Sequence, residues 1–150
     1  VLAMDTLNEV RNIREMEVVF QHANRALSTG KMLLFDLMTI QGLVEQWGNR
    51  DWMLHDDPDT LALMARSRFS YETSANTRAY IIYHRLAGDW QRDEETHVLR
   101  GFALQAVGTL LPRAGFKVQD VINTQFMRYD PYTDETGRAI FIAVKERDLA

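Results

Sequence analysis

Chemistry in this chain would have to come from its histidines, carboxylates and arginines, because cysteine is absent from all 150 residues. Without thiols there is no disulfide, thiolate metal site or cysteine nucleophile. The four histidines, His22, His55, His84 and His97, are scattered without zinc-ligand spacing. Glu94 and His97 form a Glu-x-x-His pair. On a helix that spacing puts both side chains on one face, and di-iron bundles use such a pair twice. Here Glu17 and His22 stand five apart, so the second pair is missing. Glu94 and His97 are the metal candidates. The plainer reading is two solvated residues in the first turn of a helix, with no cofactor. There is no Gly-x-Ser-x-Gly elbow and no phosphate loop; Gly101 and Gly108 read as close-packing positions within a helix.

Arg78 and His84 are the catalytic candidates, six residues apart with Ala-Tyr-Ile-Ile-Tyr between them. This spacing resembles the active motif of the helical ribonuclease domains called HEPN. The resemblance covers those two residues only. It implies an all-helical bundle in which Arg and His handle the scissile phosphate and the 2′-hydroxyl of RNA, often at a dimer cleft. Ala79 stands where those domains usually carry a polar residue. On a helix, residues six apart sit about 120° from each other. The alternative is a helix burying Ile81 and Ile82, with Arg78 and His84 turned to water or an ion pair.

Charge weighs against nucleic acid as a partner. The net charge is −4 and the pI near 5.5, whereas a nucleic-acid binder usually shows a basic face. A winged-helix reading would make Lys117–Thr124 a recognition helix and place Arg128 and Arg138 beside a wing at Asp130–Gly137. Over residues 111–150, six basic residues meet six acidic ones, so no net attraction to DNA results. A third alternative is a small-ligand pocket between helices, lined by Tyr80, Tyr83, Tyr129, Tyr132 and the three tryptophans.

The elements that would position these residues read as helices. Thr6 and Glu9 have capping-box spacing. Behind them Ile13, Met16, Phe20, Ala23 and Leu27 recur every three or four residues, which predicts helix one from Asp5 to Ser28. Gly30 ends it. Met32–Trp47 is apolar on nearly every side and predicts a second helix that other helices must cover. Residues 50–57 connect, with Trp52 tucked onto the core or exposed as an anchor. Asp57-Pro58-Asp59 has the composition of a helix start. It predicts helix three from Pro58 to Ala87, with a break near Ser70–Ser74 as the alternative. Asp93, Glu94 and Glu95 suit the N-terminus of helix four, which Pro112 ends. A short helix follows at Val118–Thr124. Phe126–Tyr129 and Ala139–Val144 predict a C-terminal β-hairpin, with a terminal helix from Asp134 as the competitor.

The composition, 46% apolar and 25% charged, suits one globular domain over residues 1–150. The chain opens on Val rather than Met, which reads as a fragment of a longer chain. No apolar run is long enough to cross a bilayer, and the lack of cysteine fits a reducing, cytoplasmic compartment. The sequence thus predicts a mainly α fold: a bundle of four to six helices with a small C-terminal β-hairpin. Its expected role is a non-enzymatic interaction, assembly or regulatory protein. It would self-associate, or bind another helical protein, through Ile13, Met16, Phe20 and Leu27, with Trp52 as a loop anchor; the alternative for that stripe is an ordinary bundle helix facing its own core.

Overall fold

The computed structural model describes residues 1–149. It overturns the helical bundle: 44% of the chain is strand and 24% helix. In chain order the elements are α1 (Ile13–Ala26), β1 (Met32–Met38), α2 (Ile40–Gly42), β2 (Arg50–Asp57), β3 (Leu61–Ser70), β4 (Ala75–Leu86), β5 (Asp89–Arg100), α3 (Leu104–Arg113), β6 (Phe116–Ile122) and β7 (Arg138–Lys145). A 3₁₀ turn at Thr6–Glu9 precedes α1, and a π-helical turn at Leu43–Trp47 follows α2. All strand–strand pairs between these elements are antiparallel. They form a three-stranded sheet in the order β1-β7-β6 and a four-stranded meander, β2-β3-β4-β5.

Each departure from the sequence reading has a local cause. The run Met32–Met38 looked helical because it is apolar throughout. In the fold Leu33, Phe35 and Leu37 are buried on one face, while Leu34 and Asp36 are half-buried on the other. A strand covered on both faces carries the same signature. Asp57-Pro58-Asp59 forms the β2–β3 turn instead of a helix start. Asp57 accepts from the Asp59 amide and the Thr60 hydroxyl, both at 2.8 Å. An Asx turn and an N-cap use the same carboxylate chemistry. Those bonds outweigh slight burial and hold Asp57 below its ordinary pKa, the Asp59 amide being the largest influence. Ala87 and Gly88, with φ of 52° and 100°, close the β4–β5 hairpin. Two consecutive positive φ values make a turn whose twist matches the flanking strands. Asp93, Glu94 and Glu95 therefore lie on an exposed edge strand, where charge blocks further pairing.

Helix one starts late, at Ile13, where Asn12 accepts from the amides of Arg14 and Glu15. Thr6 does not cap it, since its hydroxyl donates to Ala3. The segment expected as a short helix at Val118–Thr124 is mostly β6. Ala139–Val144 is strand, as expected, yet its partners are β1 and β6 in place of Phe126–Tyr129. That neighbouring segment contributes a single bridge, Ile122 with Arg128. At the free edge of β1, Leu2 forms a parallel bridge to Phe35.

Helices α1 and α3 pack on the same face of the three-stranded sheet. Phe20, Phe35 and Phe141 form an aromatic column there, with centroids 5.1 and 4.8 Å apart. Met16 and Phe20 are fully buried in this core, with Ile13 and Leu27 packed at its margin. The stripe expected as an intermolecular seam is thus spent inside the chain. Trp52 is half-buried in β2 and packs on Trp47, 5.1 Å between centroids. Among the described residues no helix is long and apolar enough to cross a membrane. Phe35→Ala should cost about 3–5 kcal/mol of stability, read as a lower urea midpoint. Phe126→Ala, at an 80% exposed position, should change it by less than about 0.5 kcal/mol.

Candidate functional site

The two sheets meet at the carboxyl end of β1, where Asn8 bonds both Met38 of β1 and Arg100 of β5. Residues just after Leu2 turn sharply there. Met4 and Asp5 have φ of 62° and 64°, two successive non-glycine residues in left-handed conformation. Such strain costs of order 1–3 kcal/mol per residue and persists only where the surroundings enforce it. Met4 is left 86% exposed, while the Asp5 side chain turns inward.

Two arginines supply the enforcement. Arg138, the first residue of β7, contacts Asp5 Oδ1 at 2.6 Å and also ion-pairs with Asp36 of β1. Arg78 of β4 reaches Asp5 Oδ2 at 3.4 Å. Its side chain is only 4% exposed, so burial pushes its pKa down, and the Asp5 charge opposes that shift. The Arg78 Nε donates to Asn76 at 3.1 Å, and its guanidinium lies 3.4 Å from the centroid of the Trp47 ring. Asn76 in turn donates to Ser67 Oγ at 2.8 Å, and Ser67 donates to the Gly48 carbonyl at 3.0 Å. Trp47 comes from the π-helical turn; such turns concentrate at functional sites. Asn8 completes the tie between the sheets. Its amide donates to the carbonyls of Met38 and Arg100 and accepts from the Met38 amide, each at 2.9 Å.

Two carboxylate oxygens, Asp5 Oδ1 and Asp36 Oδ1, are buried without a hydrogen bond. Asp5 Oδ1 is close to Arg138 but outside hydrogen-bond alignment, so it has a charge partner and an unused lone pair. The rim of the site is formed by Glu9 and β5. His97 Nδ1 lies 2.9 Å from Glu9 Oε1, and His97 Nε2 lies 3.1 Å from Glu95 Oε1. Tyr80 meets the His97 ring edge-on at 5.8 Å. Two open clefts elsewhere, of about 660 and 810 Å³, contain none of these residues.

The residues singled out from sequence are dispersed by this geometry. Glu94 and His97 are three apart on a strand, so they face opposite sides of the sheet. No group of three metal-ligating side chains occurs among the described residues. Arg78 and His84 share a strand face, yet six residues of strand separate them by about 20 Å. Arg78 is buried in the network while His84 pairs with Asp93 at 3.4 Å. The ribonuclease reading therefore fails on geometry as well as on fold. The winged-helix reading fails too: its recognition helix is a strand, and Arg138 is neutralised by two carboxylates. The ligand pocket between helices is not formed, as Tyr83 and Tyr132 are exposed and Tyr80 lies on a strand. Sequence reasoning missed Asp5, Asn8, Asp36 and Asn76 as site residues, and it gave Glu9, Trp47 and Arg138 other roles, as a helix cap, a pocket wall and a wing residue. Only Asp36 gave a signal, as the lone charge in an apolar run.

No family model and no curated protein matches the sequence. Solved structures do match. An S-adenosylmethionine-dependent methyltransferase from Clostridium acetobutylicum superposes over 97% of this chain and 56% of its own, with a TM-score of 0.80 at 16% identity. The CcbJ methyltransferase of Streptomyces caelestis covers 97% of this chain and 55% of its own, at 0.72 and 14%. The sugar N-methyltransferase KedS8 of Streptoalloteichus covers 97% and 57%, at 0.71 and 14%. The chain spans about half the length of these structures. At such identities the likeness establishes the fold alone: the chain is folded like about half of each of these structures. The expected helical assembly protein or regulator does not stand, because the chain shares its fold with these solved methyltransferase structures instead of a helical bundle. Arg138→Met should cost about 3–5 kcal/mol, because it leaves Asp5 and Asp36 buried without their shared cation. Arg128→Met, at an exposed position, should stay within about 0.5 kcal/mol. Urea denaturation measures both, and an unchanged midpoint for Arg138→Met would show that the ion pairs carry no stability.

Proposed function

We propose that this chain forms the acceptor side of an S-adenosylmethionine-dependent methyltransferase that modifies an amine on a polar acceptor. The observation that carries the reading is the strained, ion-paired turn at the carboxyl end of β1, in a chain that superposes on methyltransferases over 97% of its length. The parallel contact of Leu2 with β1 supports it. Leu2 donates to the Leu34 carbonyl at 2.9 Å and accepts from the Asp36 amide at 3.2 Å. Backbone entering the turn is thus in parallel register with β1, as in an open α/β sheet with its ligand crevice beyond the strand ends. The sugar N-methyltransferase among the matching structures suggests nitrogen as the acceptor atom.

The residues present fit a cationic methyl donor. The carboxylates free to face positive charge are Glu9 and Glu95 at the rim, since Asp5 and Asp36 are already paired with Arg138. Nucleoside binding in such folds uses a glycine-rich turn between a strand and a helix, and no described strand here runs through a glycine cluster into a helix. The donor's nucleoside would therefore be held by other parts of the fold. When bound, the donor supplies a methyl group made electrophilic by a sulfonium. This chain's own part is positioning: Arg78 and Arg138 fix the Asp5 turn, Trp47 stacks on Arg78, and His97 holds Glu9 at the rim. Holding acceptor and methyl in line is worth several kcal/mol of the barrier.

Calorimetric titration of the full-length gene product with S-adenosylmethionine should give saturable binding. Incubation with labelled donor and an amino sugar should give labelled product. Absence of donor binding would refute the reading. Arg78→Met should lower kcat/KM by about tenfold or more through misplacement of the turn, with donor affinity nearly unchanged.

A further inference from the structure

Resting on that reading, we propose that Glu9 is the acceptor-binding carboxylate, that His97 is its positioning residue, and that the acceptor group is a primary or secondary amine. Glu9 is the last residue of the 3₁₀ turn that follows strained Asp5. Its neighbour Asn8 is bonded to both sheets, so the Glu9 backbone cannot drift. Its side chain is held from one side only. His97 Nδ1 lies 2.9 Å from Glu9 Oε1 and donates to it when it carries the ring proton. Oε2 makes no hydrogen bond among the described residues, and the side chain is 52% exposed. The site thus presents one fixed carboxylate with one free oxygen.

The charge around it selects the ligand. The two guanidiniums, Arg78 buried and Arg138 half-buried, are spent: Arg78 on Asp5 and Asn76, Arg138 on Asp5 and Asp36. What faces solvent beside His97 is Glu9 and Glu95, with the Tyr80 ring against the imidazole. A carboxylate or phosphate acceptor would be repelled, whereas an amine gains a charge-assisted hydrogen bond. The chemistry also calls for a carboxylate there. The free amine's lone pair forms the N–C bond as the C–S bond breaks, and the electron pair of that bond stays on sulfur. Positive charge moves from sulfur to nitrogen, and the new ammonium loses its proton to water. Glu9 accepts an N–H from the attacking nitrogen and is already oriented when the charge arrives, which is the arrangement that stabilises a transition state most effectively.

The test compares Glu9→Gln, His97→Ala and His97→Gln with the parent in the full-length protein. Binding of glucosamine and glucose is measured without donor, followed by methyl transfer to the amino sugar. The parent should prefer glucosamine. Glu9→Gln should abolish that preference and lower kcat/KM by about tenfold or more, with donor affinity within about twofold. His97→Ala should lose part of the preference, and His97→Gln, which keeps an N–H donor, should recover it. Equal binding of the two sugars by the parent would overturn the proposal. So would a Glu9→Gln variant that keeps both preference and rate. A parent that prefers glucosamine yet binds no S-adenosylmethionine would instead refute the methyltransferase reading and leave the amine site standing.

Discussion

One guanidinium shared by two buried carboxylates holds the structure's functional end together. Arg138 sits between Asp5 and Asp36, whose side chains are only 15% and 13% exposed. Each ion would be expensive to bury alone. Together they join three separate pieces of chain: the turn after Leu2, the centre of β1 and the start of β7. Because Asp5 is fixed from its side chain, its backbone can be held in a left-handed conformation that a free turn would leave. Arg78 then extends the same network into the four-stranded sheet. Its flat cation fills the gap between Trp47 and Asp5.

Other features follow from holding these pieces at fixed distances. Gly42, in α2, approaches Gly137 so closely that a Cβ at position 42 would run into the Gly137 carbonyl. Thr39 reaches the same carbonyl through its amide at 3.0 Å and its hydroxyl at 3.2 Å. That contact seats the end of β1 against the loop before β7 and so sets where Arg138 begins. The loop itself is organised by Asn123 and Asp134. Burial would raise the Asp134 pKa, but hydrogen bonds from Thr136 and Asn123 outweigh it and hold the carboxylate below its ordinary value. Lowered in the folded state, this group adds stability above its unfolded pKa, and the contribution fades as pH falls through the folded one.

Local signals in the sequence were legible where local forces decide the outcome. The periodic face of α1 and the β-branched strand Ala139–Val144 both stand, while the helix ends at Ala26, before the expected stop at Gly30. Core membership of Phe20 was legible as burial, although the same stripe suits a seam between two copies. Met32–Met38 misled because a strand covered on two faces and a buried helix share one apolar pattern. Asp57-Pro58-Asp59 misled because turns and helix caps are made by the same side-chain bonds. The site was hardly legible at all. Asp5 and Arg138 are distant in sequence, as are Glu9 and His97, and neither pair has any local spacing. Of the residues singled out, Glu9, Trp47, Arg78, His97 and Arg138 lie in or beside the site, for reasons other than those that drew attention to them. Arg78 holds a turn in place of cutting RNA, and His97 orients a carboxylate in place of binding metal.

The dependence on Arg138 can be measured directly with a double-mutant cycle on Asp5→Asn and Arg138→Met, using urea denaturation of the four proteins. A coupling energy of about 1–3 kcal/mol is predicted, since the pair shares one buried network. A coupling near zero would mean that the strained turn is held by something else, and the account of the site would fail with it.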